Sequence, residues 1–255
     1  MQDLGSRVAE AVVLVRALPQ PEGRPGEAVA ILALNPYHQW LKLSPVSFRA
    51  PEDEQRFGRW DRLRFRLSPL PPSADAPAEA CRADPRSIEI TGQLRAPERA
   101  GFLSRAVVHS LEQARQAGRR LALLKPEVLA FEAERLSAAD LLRKGAELEQ
   151  LRARLDLVGQ THLMPSGPCP YAFRYRLRDA DGERTIACQD WEMEAAFLKW
   201  LRLHGEKTAL EEMARCYGED LPRNGMALVT GAQEPDGWRA HGVIPLDAVA
   251  QPTLF

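Results

Sequence analysis

Arginine alternates with apolar residues in two separate stretches of the sequence. The first reads RWDRLRFRL (59–67) and the second reads YAFRYRLRD (171–179). Because successive side chains of a β-strand point to opposite faces, each stretch predicts a strand with one apolar face and one arginine face. Arginine binds phosphate through parallel hydrogen bonds and stacks on aromatic rings. The pattern therefore indicates anion binding, with the phosphates of a nucleic acid as the first ligand to consider.

The predicted nucleic-acid-binding residues include these arginines and nearby aromatic side chains that could stack on bases. They form a first arginine stripe (Arg62, Arg64 and Arg66), a second arginine stripe (Arg174, Arg176 and Arg178), and the neighbours Arg59, Trp60, Trp40 and Lys42. Two alternative roles stay open for the arginines. Exposed cations protect the edge of a sheet against aggregation, and an arginine face can also dock a protein partner that offers an acidic surface.

Three carboxylates in the segment CQDWEMEAAF form the most enzyme-like feature. Asp190, Glu192 and Glu194 lie where a predicted strand gives way to a predicted helix, and carboxylates at a strand end can hold Mg²⁺. The same residues fit a helix N-terminus, where Asp190 caps backbone N–H groups and the glutamates favour the helix dipole. No further lysine or carboxylate precedes Asp190 in RTIACQD. We therefore interpret Asp190 as a cap, and the alternative is a metal-dependent nuclease centred on it.

Other catalytic and cofactor-binding motifs are missing from the sequence. There is no phosphate-binding glycine loop, no HExxH, no GxSxG and no zinc-ligand spacing. The four cysteines stand far apart without a CxxC pair, which fits free thiols in a reducing compartment. We predict no catalytic residue, no metal and no cofactor. Neither a signal peptide nor an apolar run of about 20 residues is visible, so we expect a cytoplasmic protein without a membrane partner.

Length and composition limit the function classes further. A chain of 255 residues with 45% apolar and 27% charged residues can bury one large core or two of ordinary size. The formal net charge is −1, which argues against a protein that coats DNA through its overall charge. A local basic surface remains compatible with that value.

The elements that must position the arginines are mostly strands in the first part of the chain. Short apolar runs flanked by turn residues predict strands there, and Pro97 opens a predicted amphipathic helix that ends at Gly118. Two strands broken at Pro126 follow, and Ser137 caps a second long helix. The later part predicts two strands, two helices (about 191–204 and 206–217) and two more strands.

These elements predict an α+β protein of two domains. Residues 1–157 would form a β-barrel-like (OB-like) domain with two long helices, and 158–170 has the Gly, Pro and Ser content of a linker. Residues 171–255 would form a smaller ββααββ domain. In that domain Asp181-Gly182, between two alternating runs, predicts a hairpin turn.

Several of these segments resemble a group of uncharacterised bacterial and archaeal proteins. In the first half they are VLVRALPQP, GEAVAILAL, HQWLKLSPVSFR, EQRFGRWDRLRFRL and SIEITG. That group carries a tryptophan-aliphatic-arginine-leucine-tyrosine-proline run where this sequence reads WLKLSP, with Lys42 for arginine and Ser44 for tyrosine. LALLKP resembles a segment of proteins with dual OB-like domains, and the second half resembles the C-terminal part of the group. The resemblance implies a protein with OB-like domains, from a group discussed alongside mobile-element and defence genes. It carries over no catalytic residue.

The sequence thus predicts a non-enzymatic nucleic-acid-binding protein. We expect an accessory or recognition subunit of a prokaryotic DNA- or RNA-handling system, with antiviral defence among the candidate roles and protein partners in a complex. The two alternatives are a protein–protein adaptor with an arginine docking face and the nuclease centred on Asp190.

Overall fold

The chain folds into two compact units of strands and helices. The computed structural model describes residues 8–17, 30–43, 58–68, 80–84, 87–156, 167–233 and 237–246. The first unit comprises Met1–Arg95 and Ala146–Met164, and the second comprises Ala96–Gly145 and Pro165–Phe255. Strands dominate both units, and helices accompany them, so the predicted α+β class is confirmed. Within the described residues, no helix is both long enough and apolar enough to cross a bilayer.

Six described strands build the sheet of the first unit. They are β1 (Val8–Ala17), β2 (Ala30–Leu34), β3 (Trp40–Leu43), β4 (Asp61–Ser68), β5 (Ala80–Ala83) and β6 (Glu89–Gln93). Strand β1 pairs antiparallel with both β2 and β4. Strand β3 pairs antiparallel with β2 and parallel with β5, and β5 pairs antiparallel with β4. Five strands therefore close into a ring in the order β1-β2-β3-β5-β4, and β6 adds to β4.

Alternation fills the inside of this ring with apolar side chains. On β4 the inward residues include Leu63 and Phe65, which are 0% and 1% exposed. They pack in one cluster with Ala11, Val13, Ile31, Ala33, Leu43 and Ala83. The even-numbered residues of β4 consequently face outward, as the sequence pattern predicted.

The described part of the second unit holds thirteen strands and α-helices and one π-helical segment. They are α1 (Ala96–Ser104), β7 (Val107–Val108), α2 (Leu111–Gln116), β8 (Leu121–Leu124), β9 (Glu127–Arg135), α3 (Ala138–Asp156), β10 (Tyr171–Asp179), β11 (Gly182–Cys188), α4 (Trp191–His204), α5 (Glu206–Met213), the π-helix Ala214–Asp220, α6 (Leu221–Asn224), β12 (Met226–Gln233) and β13 (Gly237–Pro245). The seven strands form one sheet in the order β7-β8-β12-β13-β11-β10-β9. Helix α3 begins in this unit, and its residues from Ala146 onward belong to the first unit.

Aromatic side chains on β10 anchor the core of the second unit. Tyr171, Phe173 and Tyr175 are buried on the face opposite the second arginine stripe. The Phe173 ring stacks on Phe131 of β9 with centroids 5.7 Å apart and meets Phe197 of α4 edge-on at the same distance. This face of β10 therefore belongs to the hydrophobic core, which fixes the arginines on the other side.

The helix predicted from Pro97 to Gly118 is interrupted in the structure. Helix α1 ends at Ser104, and Val107–Val108 forms a short strand that pairs parallel with β8. A second helix then starts, because the Ser110 hydroxyl accepts a hydrogen bond from the Gln113 N–H at 2.9 Å. The apolar periodicity predicted one continuous amphipathic helix. It indicated neither the pairing of β7 with β8 nor the cap at Ser110.

The division of the chain also differs from the predicted one. Residues 96–145 were predicted to lie in the N-terminal domain, but they belong to the second unit. The reason is strand pairing: β8 hydrogen-bonds with β12, and β9 with β10. The second unit is therefore the larger part of the described chain, with seven strands in its sheet instead of the predicted four. Most of the predicted linker, 158–166, lies outside the described residues.

The second of the two helices predicted after β11 changes its winding. Helix α5 ends at Met213 and continues as a π-helix to Asp220. The Tyr175 hydroxyl donates a hydrogen bond to the Tyr217 carbonyl at 3.1 Å. A side-chain carbon at Gly218 would lie 3.2 Å from Cβ of Phe131, so glycine permits this turn to approach β9.

Candidate nucleic-acid interface

The first arginine stripe lies on the outer face of β4, between β1 and β6. Arg62, Arg64 and Arg66 are all exposed. Across the ladder to β1 their partners are Val12, Glu10 and Val8 in turn. Across the ladder to β6, Arg62 pairs with Gly92 and Arg64 with Glu89.

Within the described residues, ion pairs neutralise only part of the charge on this face. The Arg64 guanidinium forms an ion pair with Glu10 at 3.1 Å, and both side chains are about half exposed. Arg66 lies opposite Val8, whose exposed fraction is 58%. In the part of the chain that the structure describes, the Arg66 guanidinium forms no ion pair. The outer end of β4 therefore presents an exposed cation beside an apolar side chain.

Trp60 does not lie on this face, and its predicted role as a base-stacking platform is wrong. Its side chain is 1% exposed. The residue adopts a φ of 76°, which breaks the alternation before β4 begins at Asp61. Its N–H donates to the Val13 carbonyl at 2.8 Å, and its carbonyl accepts from the Leu94 N–H at 2.7 Å. Trp60 is thus a core residue held by a turn, and its neighbour Arg59 is half-buried in the same turn.

Trp40 and Lys42 lie on the outer face of β3, away from the first arginine stripe. Trp40 is half-buried and Lys42 is exposed. Strand β5 stands between β3 and β4 in one direction around the ring, and β1 and β2 stand between them in the other. The structure therefore does not place Trp40 and Lys42 on a strand adjacent to the arginines.

The outer face of β2 is closed to a ligand. Leu32 and Leu34, the outward partners of Lys42 and Trp40, are 3% and 0% exposed. On β1, Val12 is also buried at 4%. A ligand on the outside of this ring can consequently reach the outer residues of β3 and β4, but not those of β2.

Glutamates on both neighbouring strands pair with two of the three arginines of the second arginine stripe, and Arg176 lies between Ala130 and Thr185. Arg174 forms an ion pair with Glu134 of β9 at 2.7 Å. Arg178 pairs with Glu127 of β9 at 2.9 Å and with Glu183 of β11 at 2.6 Å. The hydrogen bond to Glu183, followed by the charge of Glu127, raises the pKa of Arg178. The stripe therefore belongs to a mixed-charge ladder.

These acidic partners were missed by the sequence prediction, although a signal for them was present. Strand β9 carries Glu132 and Glu134 in the alternating run FEAER, directly opposite Arg174 and Ala172. The hairpin turn places Glu183 opposite Arg178. The glutamates of β9 reach the arginines only through the pairing of β9 with β10, which joins segments about 40 residues apart in sequence.

Asp190 caps a helix, as the sequence predicted. One carboxylate oxygen, Oδ1, accepts hydrogen bonds from the N–H groups of Glu192 at 2.8 Å and Met193 at 3.3 Å. The other, Oδ2, accepts from the Val243 N–H of β13 at 2.7 Å. The residue is 4% exposed. Both oxygens are therefore engaged by backbone donors, and Asp190 joins the start of α4 to the sheet.

No further grouping in the described residues suggests catalysis. No cluster of three or more His, Cys, Asp or Glu side chains occurs there that could hold a metal ion. The four cysteines are free thiols. Burial raises the pKa of Cys169 and Cys81 to about 12 and that of Cys216 to about 11, so few thiolates, the nucleophilic form, exist near neutral pH.

Comparison with known proteins gives a family match to part of the chain and several distant structural similarities. Residues 7–106 match the family described as a domain of unknown function (DUF8758). No curated protein matches the sequence. The tetrameric p202 HIN2 structure is 7% identical, with a TM-score of 0.31, over 93% of this chain and 88% of that one. A replication protein A heterotrimer bound to ssDNA is 10% identical, with a TM-score of 0.28, over 98% of this chain and 69% of that one. Similarity at this level assigns neither a fold nor a ligand to the chain.

Proposed function

We propose that the chain is a non-enzymatic nucleic-acid-binding protein and that the outer face of β4 holds the phosphate backbone. The observation that carries the proposal is the first arginine stripe. It stays exposed on a barrel strand, and the structure pairs Arg64 with a carboxylate while Arg66 forms no ion pair within the described residues. In the second arginine stripe, which is equally long, glutamates pair with Arg174 and Arg178.

The strand order of the first unit supports the same proposal. A ring of five strands in the order β1-β2-β3-β5-β4, with a parallel contact between β3 and β5, is the kind of small barrel that OB-folds use to bind oligonucleotides. OB-folds bind mainly on the face of their second and third strands. In this chain the outer side of β2 is buried, so the proposed contact moves to β4. The proposed biological role is that of an accessory or recognition subunit with protein partners.

Salt dependence of binding tests the proposal. Each phosphate contact that is lost should lower the slope of log K against log salt by about 0.7 to 0.9. We expect Arg66→Gln to lower the slope by about this amount. Arg64→Gln should have a smaller effect, because Arg64 must first leave Glu10. Glu10→Gln should raise affinity, since it releases the Arg64 guanidinium and removes a negative charge beside the phosphate.

A matched control comes from the second arginine stripe. The triple variant Arg62/Arg64/Arg66→Gln should lose most of its affinity for single- and double-stranded oligonucleotides. The triple variant Arg174/Arg176/Arg178→Gln should bind as the wild type does, although it should lose some stability, about 0.2 to 1 kcal/mol for each broken exposed ion pair. Equal losses of affinity in the two triple variants would overturn the assignment to β4. A wild type that binds no oligonucleotide at low salt would overturn the function itself.

A further inference from the structure

The turn between β2 and β3 presents an exposed tyrosine on a rigid support. Tyr37 is 81% exposed, whereas the other three tyrosines of the chain, Tyr171, Tyr175 and Tyr217, are 7% exposed or less. It stands at the centre of a five-residue loop, 35–39, between two paired strands. Folding places the other tyrosines in a core and leaves this one in water.

Hydrogen bonds from Asn35 fix the shape of the loop. Its side-chain Oδ1 accepts from the N–H groups of Tyr37 and Gln39, each at 2.9 Å. Its Nδ2 donates to Oε1 of Gln39 at 3.0 Å, and its backbone N–H donates to the Gln39 carbonyl at 3.0 Å. Pro36 further restricts the backbone, and His38 adopts a φ of 62°. The backbone that carries Tyr37 is thus ordered before any ligand arrives.

We propose that Tyr37 stacks on an unpaired base, so that the ligand of the first unit is single-stranded nucleic acid. This inference rests on the proposed function and names the class of nucleic acid. An aromatic ring can cover the face of a base only when that face is not already stacked within a duplex. A preordered tyrosine loses little conformational entropy on stacking, because it has only two side-chain torsions.

The surroundings of Tyr37 favour a base over an apolar protein pocket. The other residues of the loop are Asn35, Pro36, His38 and Gln39, three of which are polar, whereas the core of a protein interface is rich in apolar side chains. Trp40 and the exposed Lys42 follow on the outer face of β3. A strand of nucleic acid that starts at Tyr37 and runs along β3 would meet an indole and then a cation.

Affinity for matched oligonucleotides tests the stacking. The probes are a fluorescein-labelled oligothymidylate of about 20 nucleotides, longer than the span of one OB fold, an abasic strand of the same length, and a duplex. Tyr37→Ala should weaken binding of oligothymidylate about 5- to 150-fold, which is the usual range for one stacked base. Its salt slope should stay unchanged, because no phosphate contact is lost. Binding of the abasic strand should not change, and Tyr37→Phe, which keeps the ring, should bind as the wild type does.

Fluorine NMR gives an independent readout. Incorporation of 3-fluorotyrosine should give four resonances, since the chain has four tyrosines, and the Tyr37 resonance is the one that Tyr37→Phe removes. We expect oligothymidylate to shift that resonance and the abasic strand to leave it in place.

The two proposals fail in different ways. If Tyr37→Ala binds oligothymidylate as tightly as the wild type while Arg66→Gln lowers the salt slope, the stacking inference is wrong and the phosphate contact stands. The same conclusion follows if the wild type prefers the duplex. If the wild type binds none of the three probes, the proposed function fails, and the inference about Tyr37 fails with it.

Discussion

Strands β4 and β10 carry the same alternation of arginine and apolar residues, but the neighbouring strands offer the arginines different partners. On β10, glutamates from β9 and β11 pair with Arg174 and Arg178. On β4, the neighbouring strands offer Glu10 and Glu89 opposite Arg64, while Val8 stands opposite Arg66. The comparison shows that alternation decides which side chains face water. The residues across the ladder decide whether their charge is available to a ligand.

The largest expected effect concerns Trp60, a core residue of the unit that carries the first arginine stripe. Removal of a buried tryptophan side chain usually costs about 3 to 5 kcal/mol, so Trp60→Ala should strongly destabilise the first unit. Trp60→Gly should be no worse than Trp60→Ala, because glycine adopts the φ of 76° without strain. Hydrogen exchange measured separately on peptides from β4 and β10 would locate the loss. Unchanged protection of β4 in Trp60→Ala would contradict the burial of this side chain.

A smaller loss of stability is expected at Asp190. Like the glutamates beside β10, its carboxylate has partners within the chain. Asp190→Ala removes a helix cap, worth about 1 kcal/mol, and leaves the buried Val243 N–H without this acceptor, worth about 1 to 3 kcal/mol. We therefore expect a total loss of about 2 to 4 kcal/mol in urea unfolding. Asp190→Ser should recover only the cap, since one hydroxyl cannot also reach β13.

Asp190→Asn provides the control for shape. Its carbonyl oxygen can accept from one side, but its amide group would then face an N–H donor on the other, so its stability should lie between those of the alanine variant and the wild type. A rise in Tm with Mg²⁺ that disappears in Asp190→Ser would instead favour a metal site and would overturn the assignment of a cap.

The smallest effect is a pH dependence in the turn between β10 and β11. The Ser110 hydroxyl, the Glu112 N–H and Arg184 all interact with Asp181, and together they lower the pKa of its carboxyl group. A carboxyl group whose pKa is lower in the folded state stabilises the fold above its unfolded pKa of about 3.9, and this contribution is lost as the pH falls through the folded pKa.

Thermal unfolding between about pH 2.5 and pH 6, a range that spans the ordinary carboxyl pKa, checks this expectation. Asp181→Asn should lower the Tm by a few degrees at most near pH 6, and the difference from the wild type should shrink below about pH 4. Glu112, whose pKa is lowered by its hydrogen bond to Arg115, titrates in the same range in both proteins. A difference in Tm that stays constant down to the lowest pH would show that the Asp181 charge contributes nothing.

Local sequence signals predicted much of the structure. Alternation identified β4 and β10 and the side chains that they bury. The cap at Ser137 is confirmed, since its hydroxyl accepts from the Asp140 N–H at 3.1 Å, and so is the cap at Asp190. The hairpin between β10 and β11 also formed where Asp181-Gly182 predicted it, with Gly182 at a φ of 119°. Each of these features depends on residues close together in the chain.

Features that depend on distant partners could not be predicted in this way. The strand β7 consists of Val107–Val108, and only its pairing with β8 separates it from the predicted helix around it. Trp60 is held in its turn by hydrogen bonds to Val13 and Leu94, which are more than 30 residues away in sequence. Glu127 and Glu134, two of the acidic partners of the second arginine stripe, needed the pairing of β9 with β10. Of the predicted site, the arginines on β4 are exposed as expected, Trp60 is buried, and two arginines on β10 have glutamate partners.

The discontinuous first unit has a consequence for how the protein is made. Its chain leaves at Arg95 and returns at Ala146, after the second unit has supplied α1, β7, α2, β8, β9 and the first turns of α3. During synthesis a ribosome must therefore release the later part of α3 before the first unit has all of its parts, although domains generally fold in order from the N-terminus. A gene fragment that ends at residue 95 would encode the six strands and still lack the helical segment 146–156. The first unit should therefore be expressed together with the second, from one continuous coding sequence.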